Sequence, residues 1–138
     1  MAVRLLLILL QGVWVGLGGL FGWFFGRWDG LFYALFAFMI IDYISGVLCA
    51  ALEKELCSKV GMYGIARKVM MLLIIGLANV VDVYIIGEGS AAKKATIFFF
   101  ISNEGISLLE NAARMGIPIP PKLRELLAIN LKQDGGNK

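Results

Sequence analysis

The sequence predicts an all-α integral membrane protein with three to four transmembrane helices and a short amphipathic C-terminal helix. Three observations lead there. Of 138 residues, 59% are hydrophobic and only 17% charged, where a soluble domain carries about 25% charged. Mean hydropathy is +0.82, more apolar surface than a small soluble core can hide, since such domains bury only about two-thirds of theirs. The apolar residues also fall into runs close to the ~20 residues that cross a bilayer.

The elements follow in order. Leu5–Phe25 is a first span, with Gln11 its one strongly polar side chain. It exceeds the usual length of a signal-peptide core and no small-x-small site follows, so it reads as a retained helix. Gly26–Gly30 is a turn. Leu31–Leu52 is a second span, interrupted by Asp42 and Ser45. Glu53–Lys68 reads as a polar loop with Lys54, Lys59, Arg67 and Lys68, placed to meet anionic headgroups. Val69–Ile86 is a third span carrying Asn79 and Asp82, with Asp82 close enough to its end to reach the interface. Gly87–Ser90 is a turn.

Ala95–Met115 opens apolar and then turns polar. At 100° per residue Asn103, Ser107, Glu110, Asn111 and Arg114 share one face, with Glu104 at its edge. That is either a fourth span or a helix lying on the membrane surface. Three prolines in Ile117–Pro121 end it. Lys122–Leu131 reads as the short amphipathic helix, and Gln133–Lys138 as a frayed end. Residues 1–115 thus form a membrane domain and 116–138 a tail.

Orientation selects between models. With four spans and both termini cytoplasmic, ten Lys and Arg lie inside against three outside, as the positive-inside rule requires. Three spans give eight against five at best.

Composition excludes much chemistry. No His is present, which removes the commonest metal ligand and the usual base near neutral pH. Cys49 and Cys57 cannot build a disulfide framework. The charge of +3 is small and scattered, so no nucleic-acid partner is expected. Gly87–Ala92 fits a dinucleotide fingerprint in spelling only, because an apolar helix rather than a strand precedes it. No cofactor, metal or catalytic group is predicted.

Three features remain for function. Gly12, Gly16, Gly19, Gly22 and Gly26 share one face of the first span, suited to close helix contact. That contact is either with another copy or within the chain's own bundle. Asp42 and Glu104 sit near the middle of their helices, where a charge costs at least about 3 kcal/mol. They read as a pore lining, proton relay or ion site, or as a satisfied interhelical hydrogen bond. The polar face of the last helix, with Glu110 and Arg114 spaced to pair, must meet protein or water, which implies oligomers or a wet lumen. A small proton-coupled transporter is the alternative reading.

Several stretches resemble a known family. Asp42-Tyr43-Ile44-Ser45-Gly46 is similar to the D-Y-[IL]-[ST]-G box of the toxin secretion/phage lysis holins. Gly26-Arg27-Trp28-Asp29 precedes it. Ser58–Gly64, with Gly61 and Gly64 and then Lys68, resembles the family's S-x-x-G-x-x-G loop. Asn103–Asn111 resembles N-E-G-x-S-x-x-E-N, and Gly116–Pro120, with Pro118 and Pro120, resembles G-[IV]-P-[IL]-P. The likeness runs from about Leu20 to about Asn130. One departure is Asn79, where the family more often has His. The resemblance implies a protein that oligomerises in the host cytoplasmic membrane and forms lesions that release an endolysin, or a toxin, without an enzymatic site.

Overall fold

In the computed structural model, residues 1–55, 57–87, 89–123 and 125 are described. Among the described residues, four long helices make up the fold: α1 (Ala2–Phe25), α2 (Gly30–Leu52), α3 (Ser58–Val81), which continues into a π turn over Asp82–Ile86, and α4 (Ala91–Arg114). No strand occurs among the described residues. Three stretches among the described residues are long and apolar enough to cross a membrane, namely Ala2–Phe25, Gly30–Leu52 and Ser58–Ile86. The membrane fold expected from composition is therefore what the chain adopts. The predicted helix Lys122–Leu131 falls mostly outside the described residues.

Local chemistry sets the boundaries. Gly26, at φ 64°, ends α1. Asp29 then caps α2 by accepting from the Phe32 amide at 3.0 Å, satisfying a donor the helix itself leaves open. At the end of α4, Gly116 takes φ 79°. Its amide donates to Ala113 O and that of Ile117 to Ala112 O, both at 3.0 Å. This Schellman arrangement favours glycine at that position, and Pro118 and Pro120 beyond it keep α4 from continuing, with helical backbone resuming only at residues 121–123.

One boundary corrects the sequence reading. Glu53–Lys68 is not a loop, for α3 begins at Ser58. Its first turns are too polar for a hydropathy window to notice. Their inward stripe is nevertheless helical: Gly61, Gly64 and Lys68 are half-buried, and Met71, Ile75 and Asn79 buried.

α2, α3 and α4 form the bundle. At one end Lys93 of α4 lies over the Phe32 ring of α2, 5.2 Å from its centroid. At the other, Arg114 pairs with Glu53. α2 and α4 are therefore parallel along their length, and α3 returns antiparallel. The apolar core joins Phe25, Phe32, Leu35, Met39, Met71, Ile75, Ile97 and Phe100. It fills the half of the bundle nearer the α1–α2 turn.

α1 behaves differently. Every residue from Met1 to Trp23 is exposed, and the helix joins the bundle only through its last turns. Phe24 lies against Gly76 of α3, where any Cβ would strike its ring. Trp23 Nε1 donates to the Tyr84 hydroxyl at 2.8 Å.

Candidate functional site

The centre of the bundle holds three charges. Lys68 Nζ donates to Asp42 Oδ2 at 2.7 Å and also to Glu104 Oε2. Asp42, Lys68 and Glu104 come from the middle of α2, α3 and α4 respectively, so one ammonium group ties the three helices together. Glu104 is wholly buried and Asp42 nearly so. Isolated charges in such surroundings are costly, while a paired and hydrogen-bonded set is tolerated.

A polar seam extends from this cluster toward the α2–α3 turn. Asn111 Nδ2 donates to Ser45 Oγ at 2.9 Å and lies 3.4 Å from Asp42 Oδ1. Ser45 Oγ donates to the Asp42 carbonyl at 2.9 Å. Arg114 Nε donates to Glu53 Oε1 at 3.1 Å, and a second contact to Oε2 makes the pair bidentate.

Beside the seam is a cavity of about 320 Å³. Asp42, Tyr43, Gly46, Lys68, Ser107 and Asn111 line its depth, with Glu55 and Arg114 also on its wall. Gly61 and Gly64 make room for the Tyr43 ring, since a Cβ on Gly64 would approach it to 3.3 Å. Tyr43 thereby becomes part of the wall between α2 and α3.

The predicted site residues divide accordingly. Asp42, Glu104, Asn111 and Ser45 meet in the seam, and Ser107 lines the cavity. Asn103 is half-buried in a different groove, shared with Tyr63, Arg67 and Phe100. Glu110 is half-buried and does not pair with Arg114, because Glu53 at the end of α2 offers that guanidinium both carboxylate oxygens. Lys68 is the residue that sequence reasoning misplaced. It is held between two carboxylates and is not free to meet headgroups. A signal did exist: a buried carboxylate needs a partner, and Lys68 continues the spacing of Gly61 and Gly64.

Asn79 and Asp82 serve the opposite end. Asn79 Nδ2 donates to Phe24 O at 3.1 Å and to Trp23 O at 3.4 Å, capping α1. Asp82 is turned into the protein, being 1% exposed. Its two oxygens accept from the Ala92 and Lys93 amides at 2.9 and 2.8 Å. A carboxylate there answers both the open donors and the dipole of α4. The π turn immediately follows Val81, at the point where Asp82 meets α4. Lys93 Nζ donates to Arg27 O at 2.6 Å.

The glycine face of α1 is not used by the bundle. Gly12, Gly16, Gly19 and Gly22 have nothing within 4 Å of where a Cβ would stand. Gly26 alone meets a neighbour, the Asn79 side chain.

The model of the bacteriophage holin family matches residues 19–132. A probable holin of Bacillus phage phi105 is 36% identical, covering 72% of this chain and 72% of that protein. An uncharacterised protein of Listeria monocytogenes is 42% identical, over 83% of this chain and 81% of its own length. An uncharacterised 14.9 kDa protein from the nagH 3′ region of Clostridium perfringens is also 42% identical, over 82% and 86%. No solved structure matches the chain.

Proposed function

The chain belongs to the bacteriophage holin family, and we propose on that premise that it assembles with copies of itself in the bacterial cytoplasmic membrane. The assemblies open lesions through which an endolysin, or an exported toxin, leaves the cell. Family membership points to a non-enzymatic protein. The observation that supports lesion formation is the polar and charged seam of Asp42, Lys68, Glu104 and Asn111 at mid-length in the bundle interior. When α2, α3 and α4 separate, those groups lose each other and keep only water. A water-filled opening is then the arrangement that satisfies them.

In this reading α4 crosses the membrane with α2, beside which it lies from Phe32 to Glu53. At 24 residues it is about 36 Å long, enough for a bilayer core of ~30 Å. Both termini are cytoplasmic, residues 1–115 are the membrane domain and 116–138 the tail. Contact between copies runs along Gly12, Gly16, Gly19 and Gly22, which face open space within one chain. Asn103, Ser107 and Glu110 join the seam in lining the opening.

Inducible expression in bacteria, with and without a cytoplasmic endolysin, tests the reading. Turbidity and membrane potential are followed together. An abrupt loss of potential, followed by lysis only when the endolysin is present, is expected. Cells that keep their potential while the protein accumulates in the membrane would refute it.

A further inference from the structure

We propose that the Asp42–Lys68–Glu104 cluster is a proton-binding site reached from one side only, the side of the α2–α3 turn. This rests on the membrane placement above and gives the seam a ligand.

The charges do not balance. α2 contributes Asp42 and the Tyr43 hydroxyl, α3 contributes Lys68, and α4 contributes Glu104 and the neutral Asn111. Arg67 and Glu55, of opposite charge, line the outer wall of the cavity and are exposed, and Arg114 is engaged with Glu53, leaving one inward ammonium for the two buried carboxylates. Glu104 Oε1 is buried and has no hydrogen-bond partner among the described residues. An ionised carboxylate oxygen without a donor is unfavourable there, so the cluster is one positive charge short.

Size selects the ligand. Asp42 and Lys68 line the cavity, whereas Glu104 does not and is 0% exposed. A metal ion has no room beside it. A proton needs none, because Lys68 bridges the cavity and Glu104. The ammonium passes a proton to Glu104 Oε2, and the resulting amine takes one from a hydronium ion in the cavity, leaving water. The cluster goes from one net negative charge to none, and no other bond changes. Toward the opposite end, Leu35, Met39, Ile97 and Phe100 close the bundle with apolar side chains, so access is one-sided.

The experiment uses the full chain in lipid vesicles. Cys57 in the α2–α3 turn is exposed while Cys49 is buried, so a membrane-impermeant thiol reagent reports which face carries the turn. Infrared difference spectra then follow the protonated-carboxyl band as the pH of each face is changed separately. The band is expected to grow as the Cys57 face is acidified, and to be lost in Glu104→Gln. Titration from the other face overturns the proposal, as does a band that persists in Glu104→Gln or the absence of any titration. The facedness measurement uses the natural chain and stands even if the variant does not fold. A chain that titrates as expected yet never permeabilises cells removes the lesion reading and leaves the proton site.

Discussion

Replacing Lys68 with Met removes the one cation between two buried carboxylates. The side chains concerned are 14%, 12% and 0% exposed for Lys68, Asp42 and Glu104, so water screens little of the effect. Breaking a buried pair by removing one partner costs about 3–5 kcal/mol. A second route bounds the loss. A carboxylate left without its counter-ion can escape by protonation, which for an ordinary aqueous carboxyl costs about 4 kcal/mol at neutral pH. Lys68→Met should therefore lower stability by about 4 kcal/mol at pH 7, more if both groups must neutralise. Acid makes protonation easier, so the penalty shrinks by about 1.4 kcal/mol per pH unit for each carboxylate that protonates. Denaturant unfolding of the detergent-solubilised protein from pH 7 to 5 measures this. The triple variant Lys68→Met, Asp42→Asn, Glu104→Gln should recover much of the loss, because neutral groups need no counter-ion. A Lys68→Met protein within about 1 kcal/mol of the natural one, with no pH trend, would show that the ammonium is not what holds the three helices.

Four further outcomes follow from the geometry. Asp82→Ala should cost about 1–2 kcal/mol, the usual loss for a helix cap, visible as a lower unfolding midpoint. Gly76→Leu should detach the end of α1 by displacing Phe24, at about 1–3 kcal/mol, and shift Trp23 fluorescence as the Tyr84 contact goes. Gly16→Leu should leave monomer unfolding unchanged, since nothing lies near it, but reduce cross-linked dimers in membranes; unaltered cross-linking would exclude that face as the contact. Arg114→Ala should cost at most about 1 kcal/mol, because exposed ion pairs contribute little.

Much of this protein was legible in its composition and runs. Apolar stretches of spanning length identify α1, α2 and the apolar part of α3, because lipid imposes a length and a polarity on anything that crosses it. Glycine and proline marked the ends of α1 and α4. Asp42, Glu104 and Asn111 stood out because a polar group in such a run demands a partner. The partner itself was not legible. Lys68 sits among polar residues that look like a loop, and only the antiparallel return of α3 brings it between α2 and α4. Arg114 illustrates the same limit: spacing along one helix pointed to Glu110, but the parallel packing of α2 and α4 delivered Glu53. Asp82 likewise had a local reading at the end of its helix and a distant target at the start of α4. The glycine face is the converse, visible in sequence yet left open by the bundle. One-dimensional pattern thus fixes which residues must avoid lipid, since that penalty belongs to each residue alone. Which charges satisfy one another depends on distances between helices, and those exist only after the helices pack.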